Sequence, residues 1–200
     1  DRTPAEDSWS VKTLTIATRN PGKVHEVRLA LKDLPGWKIE PLPAGIPEID
    51  ETGSTFIENA ILKATHYSRF VEGLALADDS GLCVKSLDNR PGVWTDRYGA
   101  TSELRNQGIL NELEGMDDRE AAFYCAFAIA TAGSVIWTSE GKLKGQITQV
   151  PVGDAGFGFD PIFLVPELGK TLAQLTSEEK NQWSARGQSL NELQRYLSMI

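Results

Sequence analysis

Leu74-Ala75-Leu76-Ala77-Asp78-Asp79-Ser80-Gly81-Leu82 is the stretch on which the fold turns: an apolar run, then two adjacent carboxylates. A short apolar run of this kind reads as a buried strand, here expected to end at Asp79. It brings negative charge to the edge of a sheet, where ligands sit in α/β folds. Adjacent strand residues point to opposite faces, so one Asp can face a cleft while the scaffold holds the other. Cleft carboxylates bind Mg²⁺ or take protons, and both suit phosphate chemistry. Asp-Ser-Gly also closes strands as an ordinary turn, and the segment by itself leaves both readings open.

Upstream, Leu14-Thr15-Ile16-Ala17 reads as a first buried strand, broken at the turn signal Arg19-Asn20-Pro21-Gly22. Val24, Val27, Leu29 and Leu31 then follow a helical period. Residues 37–40 form a short strand, and 41–53 a loop rich in Pro and acid. Thr55 with Glu58 makes a capping box that opens a helix to about Glu72, ended by Gly73. Downstream, 82–87 is expected to pair beside the Asp-Asp strand; 89–100 is a loop and 104–113 a helix. Two long strands, 119–131 and 135–146, lead through a glycine-rich loop, 150–160, to a short strand at 161–165. A second capping box, Thr176 with Glu179, opens a terminal helix to about Tyr196. Helices interleaved with strands predict an α/β or α+β fold with a mixed sheet. Residues 1–10 read as a loose tail and 11–200 as one domain.

The chain has 200 residues, 40% apolar and 24% charged, ordinary for a soluble protein. A globule of this size buries roughly 70% of its unfolded surface and needs no disulfide or metal to fold. The net charge of −8 argues against a general nucleic-acid or anionic-membrane binder, while allowing a local basic pocket. The only cysteines, Cys83 and Cys125, sit in apolar runs and read as free thiols. Neither a signal peptide nor a bilayer-spanning run is expected, so the reading is a cytoplasmic protein.

Thr18-Arg19-Asn20-Pro21-Gly22-Lys23 lies between a strand and a helix. Its amides can form an anion nest at the helix N-terminus, with Lys23 adding a full charge. The spacing is not that of a Walker A loop, and Gly169-Lys170-Thr171 lacks the first glycine of one. Glu48, Asp50 and Glu51, before Glu58, Asn59 and Lys63, can bring a metal to phosphates or simply be solvated. In Gly156-Phe157-Gly158-Phe159-Asp160, the glycines permit close approach and the phenylalanines can stack on a base or pack in the core. Lys180 and Arg186 read as a solvated helix face or as site cations. His25 and His66, the only histidines, lie on helices away from these loops, so His-dependent triads and His-ligated zinc are not expected. Carboxylates, lysines and Mg²⁺ remain, a set suited to phosphoryl or nucleotidyl hydrolysis.

Taken in order, Ala17 to Lys23, Glu51 to Ala64, Ala77 to Leu82, Gly156 to Pro161 and Leu175 to Lys180 resemble the motifs of the inosine triphosphate pyrophosphatase family, over about residues 13–197. The resemblance implies Mg²⁺-dependent hydrolysis of ITP, dITP and XTP to monophosphate and pyrophosphate. It further implies a homodimer and a two-lobed α/β fold with the active-site cleft between the lobes. Carried onto this chain, Thr18, Arg19, Asn20, Pro21, Gly22 and Lys23 would hold the triphosphate, with Lys63 adding charge. Asp79 would bind Mg²⁺ and act as, or position, the base. Glu51, with Glu48 as the second choice, would be the other metal acid, and Ser80 would touch substrate. Phe157, Gly158, Phe159, Asp160, Lys180 and Arg186 would frame the base. The chain departs from the family at Ser184-Ala185-Arg186, where Ser-His-Arg is typical, so an imidazole beside the purine is missing. Two rivals stand beside this reading: a Maf-like hydrolase of other modified nucleotides, and a nucleotide-binding protein whose turnover Ala185 cripples.

Overall fold

The computed structural model describes residues 10–200, the side chains of Asp96 and Arg97 apart. Apart from Ser10, the expected tail lies outside the described residues. The elements run β1 (Lys12–Ile16), α1 (Pro21–Leu31), β2 (Trp37–Pro41), α2 (Phe56–Tyr67), β3 (Leu74–Val84), β4 (Arg90–Pro91) and α3 (Ser102–Glu112). They continue with β5 (Glu120–Thr131), β6 (Ser134–Ile147), β7 (Phe163–Val165), β8 (Lys170–Thr171), α4 (Ser177–Trp183) and α5 (Ala185–Met199). Among the described residues all eight strands join one mixed sheet, in the order β2-β1-β3-β5-β6-β7-β8, with β4 on the far half of β3. The mixed-sheet α/β expectation is met. No helix among the described residues is long and apolar enough to cross a membrane.

β3 departs from the sequence reading. It does not end at Asp79 but runs on through Ser80 and Gly81 to Val84, and the expected second strand is its own continuation. The cause is β5, which pairs antiparallel with it from Ala75 to Val84. A continuous ladder satisfies every amide of the Asp-Asp-Ser-Gly segment on that side, so its local turn preference is overridden.

Period-two alternation then sorts the two faces of the sheet. Leu76 of β3 and Phe127 and Ile129 of β5 join Val27 and Leu31 of α1 and Leu193 and Leu197 of α5 in one core. Ala77, Ala126, Ala128 and Ala130 face Phe56, Ala60, Ala64 and Tyr67 of α2 in a second. The alanines keep that face shallow and let α2 lie close to the sheet.

Helix termini account for two further differences. Thr55 caps α2 by accepting from Glu58 N, but the Glu58 carboxylate turns to Ser54 N at 2.8 Å and Ser54 Oγ at 3.1 Å. The expected capping box is therefore half formed, and α2 stops at Tyr67, before Glu72. The box at Thr176 and Glu179 is complete. The helix it opens is not one but two, because Ser184 is extended and its Oγ accepts from Gly187 N at 3.0 Å, starting α5 afresh. The turn is so tight that a Cβ on Gly187 would overlap the Asn181 carbonyl. This break sets Ala185 and Arg186 at the beginning of a helix instead of in the middle of one.

Candidate active site

β1 stops at Ile16, and Ala17 N makes the last bond from that segment to β3, to Leu76 O at 2.7 Å. From Ala77 until β4 joins at Cys83, β3 is paired with β5 alone. This open edge lies beyond the carboxyl end of a parallel strand, where α/β sheets bind ligands. A pocket forms there, with walls that include Asn20, Lys23, Glu51, Lys63, Asp79, Ser80, Phe157, Lys180 and Arg186.

Alternation along β3 divides its polar residues between the faces. Asp78 meets Lys23 Nζ at 2.8 Å and Arg186 Nη2 at 2.9 Å, and Ser80 Oγ accepts from the same Nη2 at 2.9 Å. Asp79 points the other way, and its Oδ2 accepts from Asn59 Nδ2 at 2.9 Å. Burial raises both carboxyls. At Asp78 the charges of Lys23, Arg186 and Lys63 overcome it and hold the group well below the usual carboxylate range. At Asp79 burial wins over Lys63 and Asn59, with Glu51 adding repulsion, and the carboxyl is pushed up to about 6. Two neighbouring residues thus differ in role: Asp78 is a permanent anion inside an ion network, and Asp79 is a basic carboxylate at the pocket.

The ion network is the feature that sequence reading missed. Glu26 of α1 meets Lys180 of α4 at 2.5 Å and Arg186 of α5 at 3.1 Å, and Lys180 also meets Asp160 at 2.6 Å. The chain of pairs runs Asp160, Lys180, Glu26, Arg186, Asp78, Lys23, with signs alternating. No side chain in it is more than 15% exposed. Lys180 and Arg186 are therefore buried site cations. Glu26 could have been found from its spacing, since it shares with Lys23 and Val27 the inward face of α1.

The glycine-rich loop closes one wall. The Phe157 ring lies 4.2 Å from Lys180 Nζ and 5.6 Å from Arg186 Cζ, a cation–π arrangement. Gly22 seats that ring, since a Cβ there would come within 2.5 Å of it. Asp160 Oδ2 accepts from Phe157 N at 3.0 Å, and burial raises the Asp160 carboxyl despite Lys180. Phe159 packs into the core while also reaching the pocket, and Gly158 lines it at φ +61°.

The remaining expected residues divide. The anion nest is closed, because Asn20 Oδ1 takes the amides of Gly22 and Lys23, and Thr18 Oγ1 takes that of Asn20. Thr18, Arg19, Pro21 and Gly22 therefore shape the loop, while the Asn20 and Lys23 side chains reach the pocket. Glu51 pairs with Lys63 beside Asp79. Lys63 is raised: burial opposes its charge, but Asp78, Glu51 and Asp79 favour it more strongly. Glu48 stands apart, its side chain 78% exposed and 4.0 Å from Arg19. Of the two acids in question, the structure brings Glu51 to Asp79 and not Glu48. His66 meets the Pro47 carbonyl, so it touches the acidic loop, contrary to expectation. Cys125 is buried and Cys83 half-buried, both free.

Whether Mg²⁺ suits these residues turns on the donor set. Among the described residues no three His, Cys, Asp or Glu side chains converge as a closed metal cage. Mg²⁺ does not need one: it keeps several waters and binds through one or two carboxylates plus substrate phosphates. Asp79 and Glu51, close enough to repel each other, fit that mode.

A sequence profile of the Ham1 family matches residues 14–196. The dITP/XTP pyrophosphatase of Synechocystis sp. is 46% identical over 182 residues, spanning 90% of this chain and 93% of that protein. The dITP/XTP pyrophosphatase of Bacillus subtilis is 41% identical over 194 residues, or 94% and 98%. The structure of a HAM1 protein from Coxiella burnetii superposes with a TM-score of 0.84 at 40% identity, covering 94% of this chain and all of that one.

Proposed function

Because the chain belongs to the Ham1 family, we propose that it hydrolyses dITP, XTP and ITP to the monophosphate and pyrophosphate. The observation that carries this reading is one pocket holding a basic carboxylate, Asp79, beside Glu51 and flanked by Lys23, Lys63, Lys180 and Arg186. The relatives are dITP/XTP pyrophosphatases and do not favour the Maf-like alternative.

Asp79 and Glu51 would hold Mg²⁺, which when bound supplies charge stabilisation at the phosphates. Lys23 and Lys63 neutralise the triphosphate as negative charge builds on its leaving group. Asp79, with one oxygen held by Asn59, takes the proton of the attacking water as general base. Water oxygen bonds to the α-phosphorus, the bond from that phosphorus to the bridging oxygen breaks, and pyrophosphate leaves. Lys180 and Arg186 present donors to a 6-keto oxygen. A 6-amino group offers them no acceptor, and a buried donor left unpaired is what rejects the wrong base. Homodimer assembly and a cytoplasmic location belong to the same proposal, and size-exclusion chromatography with light scattering checks the first.

Pyrophosphate release measured across nucleoside triphosphates is expected to be fast for ITP or XTP and poor for ATP and GTP; GTP shares the 6-keto group, so its exclusion has to come from its 2-amino group. Chromatography showing diphosphate plus orthophosphate would overturn the reaction class.

Position 185 yields a second expectation. Ala185 is the first residue of α5, 3% exposed, and lines the pocket. Its carbonyl is packed so closely on Gly141 of β6 that a Cβ on that glycine would overlap it. The backbone is thus held, and the side chain lies between the apolar core and the pocket. Ala185→His is expected to raise kcat/KM for ITP about fivefold, the worth of one stacking or neutral hydrogen-bond contact of about 1 kcal/mol. Steady-state kinetics with ITP and GTP decide it; an unchanged or lower value for ITP would mean that Arg186 and its neighbours read the base without help from this position.

A further inference from the structure

Asn59 of α2 is 1% exposed, and both ends of its amide are used. Its Oδ1 accepts from Gly53 N at 2.7 Å, and its Nδ2 donates to Asp79 Oδ2 at 2.9 Å. A backbone N–H can only donate, so the contact with Gly53 fixes which end of the amide faces which partner. Gly53 itself fits because it lacks a Cβ, which would come within 2.6 Å of Oδ1. One side chain therefore ties the pocket carboxylate on β3 to the loop that carries Glu51, two residues before Gly53.

We propose that Asn59 is the positioning residue of the site: it pins one oxygen of Asp79, leaves the other for water or cation, and sets the spacing between Asp79 and Glu51. This rests on the pyrophosphohydrolase reading. Asn59 does not line the pocket, so it acts through the two acids and touches no substrate. Partners of this kind typically cost 10–100-fold in activity or metal affinity when removed. A neutral amide suits the task better than an acid, because only the amide offers both an acceptor to Gly53 N and a donor to Asp79.

Two variants separate positioning from packing. Asn59→Ala removes both bonds, whereas Asn59→Asp keeps the shape and an acceptor for Gly53 N but loses the donor to Asp79. Steady-state kinetics with ITP and Mg²⁺ are run on variants shown to be folded by circular dichroism. Mn²⁺ titration with α,β-methylene-ITP supplies a readout without turnover. Both variants are expected to lose about 10–100-fold in kcat with KM for ITP changed less than about threefold, and Asn59→Ala to bind Mn²⁺ more weakly by a similar factor. If Asn59→Ala does not fold, Asn59→Asp decides alone. A folded variant with kcat and Mn²⁺ affinity within about twofold of the native chain, or with only KM raised, would overturn the assignment. Should the native chain release no pyrophosphate, the pyrophosphohydrolase reading falls, and the Mn²⁺ titration still decides whether Asn59 organises the acids.

Discussion

Asp79→Asn is expected to lower kcat for ITP by at least about 10²-fold, the usual effect of deleting one acid–base group. Asparagine keeps the shape, and its side-chain oxygen can still accept from Asn59 Nδ2. What disappears is the negative charge opposite Glu51 and the basicity that burial has raised to about 6. KM should move less than kcat, because Lys23 and Lys63, proposed to meet the phosphates, stay in place. The fold should not suffer. A carboxylate whose pKa lies above its ordinary value is destabilising to the folded chain at neutral pH, since folding must hold it charged in a dry site. Thermal unfolding without divalent ions should therefore show Asp79→Asn at least as stable as the native protein. A near-native kcat would remove Asp79 from the reaction, while a collapse of Tm would show that the carboxylate is structural.

Glu26→Gln is expected to be the most destabilising of the isosteric changes at this site. The network alternates three acids, Asp160, Glu26 and Asp78, with three bases, Lys180, Arg186 and Lys23. Neutralising Glu26 leaves two buried anions among three buried cations. Arg186 Nε is already without an acceptor, so that guanidinium has little to fall back on. Removing one partner of a buried pair costs about 3–5 kcal/mol, because the remaining charge stays desolvated. At about 2–4 °C per kcal/mol for a domain of this size, Tm should drop by roughly 10 °C. KM for ITP should rise as well, since Lys180 and Arg186 lose the carboxylate that orients both. Differential scanning calorimetry and steady-state kinetics test the two halves separately. A Tm within about 2 °C of native would mean that water screens the cluster and that the ion pairs add little.

What the sequence by itself determined is what depends on near neighbours. Strand alternation assigned Asp78 and Asp79 to opposite faces before any partner was known. The starts of α2 and α4 were legible because caps act within one turn, at Thr55 and Thr176, whereas the segment read as a turn at Asn20 and Pro21 caps and opens α1. The ordered motifs were enough to reach the family, since each is a short contiguous string.

What only the tertiary structure decided involves partners far apart in the chain. The turn signal at Asp-Ser-Gly was real, but β5 overrode it with a ladder that no local pattern announces. Lys180 and Arg186 could be read as a solvated face or as site cations, because their shared partner, Glu26, lies more than 150 residues away. The anion nest looked open because the sequence does not show that Asn20 spends its side chain on the same amides. Glu51 was preferred to Glu48 by resemblance alone, and the two separated in space only when Lys63 claimed Glu51 and Arg19 approached Glu48. For the ion network the deciding energy is desolvation: a group's role follows from whether the fold removes its water, and burial is a property of the packed chain rather than of any window along it.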